Sequence, residues 1–97
     1  MNIDKEIIEA HLEENIEKIA FVVHEVWSHW QKHLHNQCKE LPDGSLRIPE
    51  ELVKQWNKQI TLNYKQLTQS EKESDIEQAH KYIKIFMKII SDIPIKN

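Results

Sequence analysis

One glycine, one cysteine and three prolines are all that 97 residues hold of the usual chain breakers and cross-linkers. A strand-and-turn protein needs glycine at many corners, so this scarcity favours long helices. The lone Cys38 excludes an internal disulfide and suits a reducing compartment. A basic excess is also missing. Thirteen Lys and Arg are interleaved with sixteen Asp and Glu, for a net charge of -3, and this argues against a nucleic-acid partner, whose phosphates call for a basic surface. The first residues, Met1 to Glu6, are charged and lack the apolar run of a secretory signal. The greasiest stretch, Tyr82 to Ile95, is interrupted by Lys84, Lys88 and Asp92 and is too short to span a bilayer. The expectation is a cytoplasmic protein without a membrane partner, belonging to a cell or to a virus acting inside one.

What remains is helical patterning. Ile8, Leu12, Ile16, Ile19, Val23, Val26, Trp30 and Leu34 recur in steps of three and four, the period of one helix face. They predict one long helix from Asp4, a good N-cap, to about Cys38, with Glu14-Asn15 as the point where it would break. Lys39 to Ile48 is the only turn-rich stretch. Pro42-Asp43-Gly44 reads as a tight turn, and the alternation of Leu46 and Ile48 about Arg47 suggests a small hairpin. Pro49 opens a second helix with Leu52, Val53, Trp56 and Ile60 as its stripe. Thr61 to Leu67 is a connector, and Thr68-Gln69-Ser70-Glu71 fits a capping box that starts a third helix. The inward stripe of that helix is Ile76, Ala79, Ile83, Phe86 and Ile90, with Tyr82, Ile85 and Ile89 beside it, and Pro94 ends it. The expected fold is all-α: a single domain over residues 1–97, three helices in the order long, short, long, with a turn or hairpin insert near residues 39–48. The heptad-like stripes also allow a coiled-coil hairpin, and either form packs helices antiparallel.

Catalytic and metal chemistry find little support. His29 and His33 share a helix face, but no third ligand completes a shell. His24 and His29 stand five apart, so the second is turned roughly 100° from where a zinc-protease pattern needs it. Cys38 sits at a helix C-terminus, where the dipole opposes thiolate formation. Glu14 and Glu17 form one acidic pair of the kind that holds magnesium on facing helices. Glu71, Glu73 and Asp75 do not supply a second at matching spacing. No catalytic residue, metal or cofactor is expected. Aromatic rings are the more informative group. Trp30 and Trp56 lie on apolar stripes, whereas Trp27 lies beside its stripe, next to His24, and Tyr64 lies in the connector. A ring with polar neighbours stacks a flat ligand or anchors a protein, although a core role for Trp27 stays open.

Three short segments occur in a telling order: Ile19-Ala20-Phe21-Val22-Val23-His24-Glu25-Val26-Trp27, then Tyr64-Lys65-Gln66-Leu67, then Glu71-Lys72-Glu73-Ser74-Asp75 with Ala79. The arrangement resembles the ryanodine-receptor repeat domain, in the small single-domain form carried by bacteria and tailed phages. Asp43 to Pro49, running on to Trp56 and Gln59, is similar to the phage-type insert. The likeness spans about Ile16 to Ile83. The chain departs from it in lacking an aromatic-glycine segment after the first helix and in having Asn63 where a proline is common. The resemblance implies a helical binding module without catalytic residues. Receptor repeats of this kind hold adenine nucleotides, and small oligomeric phage domains often disarm host defences, some by soaking up nucleotide-derived signals. The matching positions are His24, Trp27, Tyr64, Lys72 and Asp75. They suggest a site in which Trp27 or Tyr64 stacks a base and Lys72 faces phosphate. Two bland alternatives stay open: Asp75 locks Trp27 or the connector backbone in place, or the aromatics serve a protein interface of a partner or a homo-oligomer.

Overall fold

The computed structural model describes residues 4–94, and among them the fold is all-α apart from one very small hairpin. The order is α1 (Lys5–Glu14), α2 (Ile16–Gln37), β1 (Lys39–Glu40), β2 (Leu46–Arg47), α3 (Glu50–Thr61), a 3₁₀ turn (Tyr64–Gln66) and α4 (Gln69–Ser91). No helix among the described residues is long and apolar enough to cross a membrane.

The long first helix is present as two. Asn15 adopts φ -107° and ψ 20°, outside the helical region. Its side-chain amide donates to the His11 carbonyl at 2.8 Å, which satisfies one of the acceptors a helix end leaves orphaned. Its own carbonyl accepts from Lys18 N–H at 3.0 Å and so begins α2. Asn15 is therefore the end of one helix and the start of the next. At the other end of α1, Asp4 caps as its position suggests, its carboxylate accepting from Glu6 N–H at 3.0 Å.

Most of the expected stripe keeps its place across the break: Ile8, Leu12, Ile19, Val26, Trp30 and Leu34 are half-buried, and Ile16 is exposed. Ile19, Val22, Val26, Trp30 and Leu34 turn inward, with Val22 buried, while Val23 from the expected stripe is exposed. The last helix departs further. Gln78, Tyr82, Ile85, Ile89 and Ile93 form the covered line, three of them expected beside the stripe, whereas of the expected inward stripe Ile76, Ala79, Ile83 and Phe86 are exposed and Ile90 is half-buried. In α3 the inward positions are Leu52, Trp56 and Gln59, and Ile60 is 79 % exposed.

The chain divides into two compact units, residues 4–26 with 76–94, and residues 27–75. In the first, Val22, Ile89 and Ile93 are the buried apolar side chains, and Gln78 is buried with them. In the second, no described residue is fully buried; Trp30, Leu34, Leu52, Trp56, Leu62 and Leu67 are half-buried. The second unit also holds the hairpin, with Lys39 opposite Arg47 and Glu40 opposite Leu46. Its turn closes through Gly44 N–H to the Leu41 carbonyl at 2.9 Å, and Gly44 takes φ 87°, a conformation open to glycine at little cost. Asp43 accepts from both the Ser45 hydroxyl and the Ser45 N–H, which holds its carboxyl below the usual range.

Candidate functional site

Tyr64 is placed by a short, well-capped turn. Asn63 accepts from Gln66 N–H at 3.2 Å, and the Gln66 side chain accepts from Asn63 N–H at 3.0 Å, a reciprocal pair that sets the 3₁₀ turn. The next elements follow in the same way. Glu71 N–H donates to the Thr68 hydroxyl at 3.2 Å, and Thr68 N–H donates to the Glu71 carboxylate at 2.9 Å, so α4 starts at the capping box that the residues suggested. The second oxygen of that carboxylate accepts from the Gln59 amide of α3. The Thr68 N–H bond is the main reason the Glu71 carboxyl lies below its ordinary range, with the Thr68 hydroxyl, Gln59 and Lys58 adding to it.

One residue beyond Glu71, Lys72 is half-buried and carries its ammonium 5.7 Å from the centre of the Tyr64 ring. That is a cation–π contact, and it leaves the ring 48 % exposed. Of the five residues expected from sequence, Tyr64 and Lys72 are thus brought together. Asp75 follows Lys72 by three residues on α4 and is exposed. Gln59 and Glu71 join α3 to the start of α4. Trp27 belongs to the same unit and is 57 % exposed, which removes it from the core. His24 is exposed and belongs to the other unit.

The histidine pair on α2 is an aromatic cluster. The rings of His29 and His33 stand edge-on to Trp30, with centroids 4.9 and 5.9 Å from it. Among the described residues, no group of three or more His, Cys, Asp and Glu stands where it would hold a metal ion.

A second candidate was not expected. Within the first unit, α2 and α4 flank an open groove of about 620 Å³ lined by Lys18, Phe21, Lys81, Lys84, Ile85 and Lys88, with Val22, Glu17 and Glu25 completing the wall. Phe21 is 66 % exposed, and the groove has four lysines against two glutamates, a local positive balance on a chain of net charge -3. Its volume falls in the range of small-molecule sites, roughly 300–1,000 Å³. The spacing Lys81, Lys84, Lys88 was the available signal, but a lysine row on one helix reads equally as a solvated face. Only the apposition of Phe21 and Lys18 from α2 makes it a groove. Compared with protein-family models, curated proteins and solved structures, the chain matches none of them.

Proposed function

We propose that this chain is a non-enzymatic binding protein that takes up a flat, anionic, nucleotide-derived molecule in the groove between α2 and α4. The observation that carries the reading is the lining. Phe21 offers an exposed ring face on which a base stacks, and Lys18, Lys81, Lys84 and Lys88 offer ammonium donors to phosphate. The Tyr64–Lys72 contact is a smaller copy of the same chemistry, an aromatic face beside a cation, and ranks second as the ligand site. The resemblance to small phage-borne receptor repeats supports the wider reading, in which the protein sequesters a signalling nucleotide and so counters a host defence. It also supports holding the ligand without turning it over.

Thermal melts against mono-, di- and cyclic nucleotides test this. A ligand at a hundred times its Kd stabilises by about 2.7 kcal/mol, and the shift is expected to vanish in Lys84→Ala/Lys88→Ala and to survive in Lys72→Ala. The reverse pattern moves the site to Tyr64 and Lys72. A panel without any shift ends the reading, and a nucleotide altered after incubation, seen by chromatography, ends the non-enzymatic part of it.

The competing function is a module that binds and blocks or recruits a protein. Along α4, exposed Ile83, Phe86 and Met87 favour it, because large apolar side chains grouped in water mark an association surface.

A further inference from the structure

We propose that the groove between α2 and α4 selects a single nucleoside carrying two or three phosphates in a chain, with the chain laid along the lysine row of α4. The proposal rests on the reading of this groove as a nucleotide site and names the class of nucleotide. Every lining residue belongs to the unit formed by residues 4–26 and 76–94, so the groove is a feature of that unit alone.

The first observation is that the two walls differ in charge. The α4 wall consists of Lys81, Lys84, Ile85 and Lys88, three ammonium groups and no acid. On the α2 wall, Lys18 is outnumbered by Glu17 and Glu25. An anion is attracted to the first wall and repelled by the two carboxylates of the second. A ligand with one charged end and one neutral end is therefore sorted across the groove, its phosphates towards α4.

The second observation is the length of the lysine row. Steps of three and four residues keep Lys81, Lys84 and Lys88 on one helix face, about 4.5 and 6 Å apart along the axis and about 10.5 Å from end to end. None of the groove lysines is ion-paired with an acid among the described residues, so the like charges repel one another along the helix until an anion relieves them. One phosphate monoester brings a charge of about -1.5 to -2 at neutral pH, short of the three positive charges on this wall, and it is too compact to lie against the whole row. A chain of two or three phosphates supplies both the charge and the length. Lysine suits an extended anion, because its flexible stem carries a point charge with three rotatable donors.

The third observation limits the ligand to one base. Phe21 is the one aromatic ring among the lining residues, and a ring face stacks one base. A dinucleotide would leave its second base without a platform. Glu17 and Glu25 stand one turn before and one turn after Phe21. There they accept from the hydroxyl and amino groups of a nucleoside and turn phosphate away from the ring.

Calorimetric titration of the full chain with AMP, ADP and ATP, and with GMP, GDP and GTP, varies the number of phosphates on a fixed base. The Kd is expected to fall by about tenfold or more from the mono- to the diphosphate in either series. Pyrophosphate alone and cyclic di-AMP are both expected to bind more weakly than ADP. Lys84 is exposed at the centre of the row, so Lys84→Gln leaves the core untouched, and it is expected to weaken ADP by about tenfold and AMP by much less. Equal Kd values for AMP and ADP overturn the proposal while leaving the groove a nucleotide site. So does cyclic di-AMP or pyrophosphate binding more tightly than ADP, or a diphosphate preference that Lys84→Gln leaves unchanged. A chain that binds no nucleotide at all ends the underlying reading, and the proposal with it.

Discussion

Gln78 is 4 % exposed, and neither its amide nitrogen nor its amide oxygen meets a hydrogen-bond partner among the described residues. A buried amide without partners carries its full desolvation cost. Gln78→Met, of similar length and with no strong donor or acceptor, is therefore expected to raise stability by about 1–3 kcal/mol, read from chemical denaturation. A loss of stability would show that the amide is paired in the folded protein. The same scale explains which site residues could be read directly. Tyr64 and Lys72 meet because both sit at capped starts, and caps are written in adjacent residues: Asn63 with Gln66, Thr68 with Glu71. Gln59 was not legible as an inward position. A glutamine in place of an apolar residue looks like a surface residue until its carboxylate partner, twelve positions on, is known.

At the scale of the element, the junction of connector and α4 is the best-specified part of the chain. Thr68→Ala removes the hydroxyl that accepts from Glu71 N–H and is expected to cost about 1 kcal/mol, a typical N-cap loss, measured by thermal or denaturant unfolding. Glu71 adds a pH dependence. Its carboxyl titrates lower in the folded chain than in the unfolded one, chiefly because it accepts the Thr68 N–H. Its stabilising contribution is therefore complete above the unfolded value, about pH 4.3, and is lost as pH falls through the lower folded value. Glu71→Gln keeps an acceptor oxygen but does not ionise, so its stability is expected to fall less steeply with acid than the parent's. Equal slopes would show that the carboxylate does not carry the effect. Helix existence was legible at this scale, because periodicity and caps are local. Helix phase was legible in α2, where Ile19, Val26, Trp30 and Leu34 are covered as expected and Val22 takes the place of Val23, but not in α4, where the covered line is the one beside the expected stripe.

At the scale of the whole molecule, the described chain forms two compact units, and the buried apolar side chains among the described residues, Val22, Ile89 and Ile93, all belong to one of them. A ligand that binds only the folded chain is expected to raise the melting temperature as its concentration rises. A melting temperature constant across a hundredfold range of nucleotide concentration would argue against the groove as a ligand site.

The sequence by itself determined the all-α class, the hairpin near residues 39–48 and the capped start of α4, because these depend on residues within a turn or two of each other. It also determined that α4 has two apolar lines. Which of them the chain covers was decided only by tertiary structure, since two stripes of similar apolarity compete for one small core and packing against α2 settles the choice. The groove was decided there as well: Phe21 and Lys18 come to Lys81, Lys84 and Lys88 from some sixty residues away, a distance over which periodicity carries no information.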